Sequence, residues 1–218
     1  MVGLSRPVIA ALKQTLMIVT FAGLLVAAAI AVTGLLFSAS TARSAGAFSY
    51  VQGSSNGADK LTSLILTLPS GASSGDIMIA AAAVAAEGGT SIIAPGGWTL
   101  AIDTDHVMVP KLRTAVYYRF HDGSESNPGF TIGDLKKSSG AIVAYSGIDT
   151  TTPFDGVTPA STNALSDGSG VTTAPAGTTN TDGAIVVTVF RLKTATEFTV
   201  PAGMTERIDI KAVDATWG

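Results

Sequence analysis

DIMIAAAAVAAE, residues 76–87, reads equally well as a helix or as a strand, and the two readings lead to different proteins. Alanine is the strongest helix former, so propensity alone favours a helix. An internal comparison favours the strand. Shifting the chain by 106 residues lays Pro95-Gly-Gly-Trp-Thr-Leu-Ala-Ile-Asp on Pro201-Ala-Gly-Met-Thr-Glu-Arg-Ile-Asp. The same shift, without a gap, lays Asp76-Ile-Met-Ile-Ala on Asp182-Gly-Ala-Ile-Val. The second copy continues as AIVVTVF, a β-branched run that suits a strand and not a helix. Residues 76–86 are therefore expected to form a buried strand whose small side chains lie under a crowded neighbour.

The rest of the chain after residue 47 alternates in the same sense. In KLRTAVYYRFH, residues 111–121, Leu112, Thr114, Val116, Tyr118 and Phe120 share one face. Lys111, Arg113, Tyr117, Arg119 and His121 share the other. Further strands are expected at 62–68, 140–146, 183–192 and 204–212. Turn signals separate them, among them Pro95-Gly-Gly, Asp122-Gly, Asp167-Gly and Asp182-Gly. Many short strands punctuated in this way predict an all-β, antiparallel, jelly-roll-like sandwich over residues 48–218. Residues 149–182, rich in Thr, Ser, Gly and Pro, read as a long surface connection with one short edge strand near Val171–Thr173.

Residues 1–47 have a different character. Thirty of these 47 residues are hydrophobic, and LMIVTFAGLLVAAAIAVTGLLF, residues 16–37, contains no charge and no proline. As a helix it would be about 33 Å long, enough to cross a hydrocarbon core of about 30 Å. Arg6 and Lys13 precede it and the first acidic residue is Asp59, which orients the N-terminus toward the cytoplasm. Ala45-Gly-Ala47 fits a signal-peptidase site. A cleaved signal peptide and an uncleaved membrane anchor both fit, and both export residues 48–218. The expected location is extracellular or at the cell surface, with residues 16–37 in contact with membrane if they are retained.

Composition excludes several functions. The 218 residues include no cysteine, which removes disulfide scaffolds, thiolate zinc sites and cysteine nucleophiles. A formal charge of −3 argues against nucleic acid as a partner. Without residues 1–47, ten basic residues face 16 acidic ones, and the domain is more acidic still. No G-x-S-x-G, phosphate loop or dinucleotide fingerprint occurs. The two histidines, His106 and His121, have no triad context. Asp103–His106 and Asp122–Asn127 offer oxygen ligands without the acid spacing of an EF-hand. Most aspartates lie in turns, where backbone geometry favours them, so a carboxylate pair for glycoside hydrolysis is not indicated. No metal and no cofactor is expected, and no catalytic residue is assigned. The candidate ligand surface is Arg113, Tyr117 and Arg119 on the polar face of 111–121, set against the alternative of a half-exposed sheet face with cross-strand pairs. Trp98, after its tight turn, reads as core.

Several of these stretches in order resemble one family: Ser74-Gly-Asp-Ile-Met-Ile-Ala, Ala94-Pro-Gly-Gly-Trp-Thr-Leu, Val116-Tyr-Tyr-Arg, Ala141-Ile-Val-Ala-Tyr-Ser-Gly-Ile-Asp and Pro153-Phe-Asp. Together they resemble β-sandwich modules of bacterial secreted and cell-surface proteins and of phage tail or fibre proteins. The resemblance implies a non-catalytic module for adhesion, glycan or protein binding, or assembly, and carries no catalytic residues. A phage tail or fibre protein is the alternative, and an extracellular carbohydrate-active enzyme the next. The family pattern would continue beyond Trp217, which makes the sequence read as truncated at its C-terminus.

Overall fold

In a computed structural model the chain is all-β. The structure describes residues 29–37, 48–85, 89–106, 112–156, 158–162, 175, 177–180, 184–192 and 199–210. No helix occurs among them. The strands are β1 (Ala29–Phe37), β2 (Ser49–Ile65), β3 (Ile77–Val84), β4 (Ile92–Ile93), β5 (Thr99–His106), β6 (Leu112–Phe120), β7 (Gly129–Ser146), β8 (Ala160–Thr162) and β9 (Ile185–Leu192). One sheet runs β2-β7-β3-β6-β5 with β4 added on β7; a second runs β8-β1-β9. All pairings are antiparallel.

The alanine-rich stretch is β3, and it lies between β6 and β7. Both of its edges are hydrogen-bonded and all eight of its side chains are buried. Tertiary pairing thus overrides a helix preference of a few tenths of a kcal/mol per residue. Parity divides its side chains. Ile77, Ile79 and Ala81 join a cluster with Val116, Val143, Tyr145, Ile185, Val187 and Val189. Met78, Ala80, Ala82 and Val84 join another with Leu64, Leu66, Tyr117, Phe130, Ile132 and Ile142. The small residues are needed where β3 and β7 approach closely. A Cβ on Gly140 would stand 2.6 Å from the Ala81 carbonyl oxygen and 3.2 Å from the Ala82 Cα.

Two long strands supply the second cluster. β2 and β7 pair from Ser49↔Ser146 to Ile65↔Gly129, with bulges between Ala58 and Ser63 and Lys60 at φ 52°. Beyond the bulges they deliver Leu64, Phe130 and Ile132, and β4 joins there through Ile92↔Ile132. The first cluster is completed by β9, whose core-facing row is Ile185, Val187 and Val189. That row ends in the buried Arg191, which donates from Nη1 to Thr114 Oγ1 on β6. Its Nε and Nη2 are buried without a hydrogen-bond partner. Desolvation pushes its pKa down to about 9, against the opposing pull of Asp105 and Asp103. A Thr104 Oγ1–Ser161 Oγ hydrogen bond of 2.6 Å ties β5 to β8.

The internal repeat reappears in the fold. Gly97 and Gly203, equivalent under the 106-residue shift, adopt φ 87° and 83°. Ile79 and its counterpart Ile185 lie in one cluster, which includes Ile102 and packs against its counterpart Ile208.

Several strand expectations shift. The one expected at 62–68 is the end of β2, which begins at Ser49. The one at 140–146 is the end of β7, which begins at Gly129. Residues 204–210 bury Ile210 and half-bury Met204 and Ile208 but form no ladder, and 211–212 of the strand expected at 204–212 lie outside the described residues. The connection after residue 149 carries β8 at 160–162; Val171–Thr173 lies outside the described residues. Of the apolar run 16–37 expected as a helix, residues 29–37 pair as β1 with β9 over eight register positions, while 16–28 lie outside the described residues. An uncharged apolar run satisfies a strand enclosed by neighbours as readily as a helix.

Two measurements test this packing. Gly140→Ala is expected to lower stability in urea unfolding by about 1–3 kcal/mol, because the added methyl meets backbone. Arg191→Met is expected to leave stability unchanged or raise it by up to about 4 kcal/mol, since it removes a desolvated charge while keeping volume. A loss beyond about 1 kcal/mol would show that the bond to Thr114 outweighs that desolvation.

Candidate functional site

The polar face of β6 resolves into three separate environments. Arg113 at one end forms a two-point ion pair with Asp103, Nε to Oδ1 at 2.9 Å and Nη2 to Oδ2 at 2.5 Å, and donates from Nη1 to the Thr90 carbonyl at 3.0 Å. The Asp103 hydrogen bond holds its protonated form more firmly than usual. Tyr117, in the middle, is buried: its ring packs 5.7 Å from Phe130 and its hydroxyl donates to the Ile92 carbonyl at 2.6 Å. Desolvation, with the negative charge of Asp103, raises its pKa. The expected platform of Arg113, Tyr117 and Arg119 is therefore not a continuous exposed face. β4 and the far half of β7 cover its centre.

Arg119, at the other end, belongs to a cavity. The cavity has a volume of about 350 Å³ and lies between the β4–β5 turn and the β6–β7 loop. Trp98, Leu68 and Pro95 contribute apolar surface; Arg119, Glu125 and Asn127 are among its polar lining. Its size falls at the small end of small-molecule sites. Trp98 also packs against Phe130, with ring centroids 5.9 Å apart. It thus serves the core and the cavity wall at once.

Arg119 holds the two loops together. Nη1 donates to the Gly96 carbonyl at 3.2 Å and Nη2 to Asp122 at 2.9 Å, while Nε forms an ion pair with Glu125 at 2.9 Å. The turn beneath it favours glycine by its backbone, and any side chain there would have to displace the guanidinium. Gly97 has positive φ, and a Cβ there would stand 2.5 Å from the Arg119 Nη1. The Glu125 carboxylate, 4 % exposed, accepts in addition from the backbone N–H of Asp122 at 2.9 Å and of Gly123 at 3.2 Å. His121 Nδ1 lies 2.5 Å from its other oxygen.

Burial opposes ionisation of Glu125. The Asp122 N–H, its own backbone N–H and the charges of His121 and Arg119 outweigh that, so its pKa falls below the usual range. The exposed Asp122 is lowered to about 2, chiefly by the hydroxyl and N–H of Ser124 and then by Arg119. Both carboxylates near the cavity are thus held ionised and already engaged.

The sequence pointed to Arg119 as one of three ligand-surface candidates and to Asp122–Asn127 as oxygen-rich, and the structure places Arg119 and residues 124–127 at this cavity. The sequence alone did not connect them with Trp98. The available signal was the Pro95-Gly-Gly-Trp turn and the acid three residues after Asp122-Gly, two loops that β5 and β6 bring to one end. Among the described residues no group of three or more His, Asp or Glu side chains could hold a metal. Comparison of the chain with protein-family models, with curated proteins and with solved structures finds no match to any of the three.

Acid titration tests the clamp. A carboxylate with a depressed folded pKa stabilises the fold fully above its ordinary pKa, near 4.3 for glutamate, and less as pH falls through the folded value. Glu125→Gln is expected to cost about 1.5–3 kcal/mol at pH 7, the worth of hydrogen bonds to a charged group. The difference from the parent should shrink progressively below about pH 4. Urea unfolding across pH 2–7 measures both.

Proposed function

We propose that the chain is an exported, non-catalytic β-sandwich module of jelly-roll type that binds a small hydroxylated ligand, a glycan unit, at the cell surface. The cavity walled by Trp98 carries this reading. An aromatic wall offers a face for the apolar side of a sugar ring, and the surrounding hydroxyl and amide groups can meet its hydroxyls. The rim is held in place by the Arg119 contacts, so binding would require little ordering. Residues 1–47 supply export, as a cleaved signal peptide or a retained anchor.

The charge state of the carboxylates favours binding over hydrolysis. A glycosidase acid needs a raised pKa, so that it carries a proton near neutral pH. Glu125 and Asp122 are both shifted the opposite way. Glu125 is also engaged already, accepting from two backbone N–H groups and paired with Arg119.

A glycan array probed with the full chain tests the binding. Trp98→Ala, which removes the wall, and Ser126→Trp, which fills the cavity, are each expected to weaken the bound glycan by more than about tenfold, or 1.4 kcal/mol. No bound glycan, or binding that neither variant weakens, would overturn the reading. Turnover of any arrayed glycan would overturn its non-catalytic part. Protease accessibility of residues 48–218 on intact cells tests export separately.

A further inference from the structure

Asn127 lines the cavity with an amide that the fold has already oriented. Its Oδ1 accepts from the Leu68 backbone N–H at 2.9 Å. A main-chain N–H can only donate, so the amide oxygen is fixed on that side and the NH2 group is the half left for a bound molecule. Asn127 is exposed, and among the described residues its Nδ2 has no hydrogen-bond partner. The loop that carries it is anchored again at Leu66, whose N–H donates to the Pro128 carbonyl at 3.0 Å. The donor is thus held in place before anything binds, which lowers the ordering cost of using it. Apolar surface stands beside it: Leu68, whose backbone holds the amide, lines the same cavity together with Pro95 and Trp98. Charge narrows the choice further. Arg119 is the one cation among the lining residues, and Asp122 and Glu125 already answer it, two carboxylates to one guanidinium. An acidic group would find no unpaired positive charge there.

We propose that the cavity selects neutral sugars bearing an acetamido group, and that Asn127 is the residue that sets this specificity. An acetamido group matches the two features that lie side by side: a carbonyl oxygen for the Asn127 Nδ2 and a methyl for the apolar surface next to it. A hydroxyl at the same ring position offers an acceptor but no apolar part. A carboxylate brings a charge that the cavity does not meet. The volume of about 350 Å³ suits one sugar unit, with Trp98 left as the wall for its ring. The assignment rests on the glycan reading above and narrows it to one class of sugar.

The test titrates the full chain with the methyl glycosides of N-acetylglucosamine, N-acetylgalactosamine, glucose, galactose and glucuronic acid, with binding followed by ligand-observed NMR. At least one acetamido glycoside should bind about tenfold or more tighter than its hydroxyl counterpart, and the glucuronide should bind most weakly. Asn127→Asp keeps an oxygen for the Leu68 N–H and replaces the NH2 donor with an acceptor. It should bring the acetamido and hydroxyl sugars to within about twofold of each other, with the urea midpoint close to that of the parent. Asn127→Ala removes both halves of the amide. It should lose the same preference and lower the midpoint as well, and it decides the matter if the aspartate variant does not fold. A residue that only ties the loop to Leu68 would leave the preference intact in Asn127→Asp, and that result would overturn its role. Hydroxyl sugars bound as tightly as acetamido sugars by the parent would overturn the acetamido assignment and leave the glycan reading standing. Absence of any bound sugar would overturn both, so the two failures are told apart.

Discussion

The whole arrangement follows from the burial of β3 on both faces. An ordinary antiparallel sheet keeps one face against a core and one in water. Here the central strand has no solvent face, so Ile77, Ile79 and Ala81 need one cover and Met78, Ala80, Ala82 and Val84 another. β9 helps provide the first. The second comes from the same strands that build the sheet, because β2 and β7 are long enough to continue past their bulges and carry Leu64, Phe130 and Ile132 back over it. Alanine in β3 and glycine at 140 keep these elements close enough for their ladders to form.

This two-sided burial also determines what could be read from the sequence. Strand periodicity at 111–121 was plain, and β6 is where the alternation put it. The inference that its charged row faces solvent failed at Tyr117, because alternation reports which residues share a face and not whether that face is covered. Arg113 and Arg119 could stay polar because each sits at an end of the strand with a carboxylate in reach. The first half of β2 was hidden for a related reason. Gly53-Ser-Ser-Asn-Gly-Ala-Asp looks like turn chemistry, yet it extends because β7 lies alongside, and Asn56 Nδ2 donates to the Ile65 carbonyl at 2.8 Å instead of closing a turn. Pairing with a distant strand made that segment β, and no local pattern encodes such a partner.

The cavity was legible only in pieces. Each loop displayed its own signal, a proline–glycine turn before a tryptophan and an aspartate–glycine turn followed by glutamate. Their meeting depends on the register Thr99↔Tyr118, which brings Trp98 and Arg119 to the same end of the sheet. A carboxylate such as Glu125 could be read as a calcium ligand, a catalytic acid or a loop clamp until its neighbours were known. With two N–H groups, a guanidinium and an imidazole around it, the clamp is the role that its surroundings fix.

The hardest segment to read was 29–37, and the physics explains why. A membrane helix and a strand shut between neighbours impose the same demand on side chains, an absence of charge, and differ only in how the backbone is satisfied. A helix satisfies its backbone from within, so length settles the matter in isolation. A strand depends on what stands beside it, and β9 offers a buried apolar strand with an edge to complete. In the fold the nine residues meet that edge, so their lack of charge is accounted for by a strand that takes its backbone partners from β8 and β9.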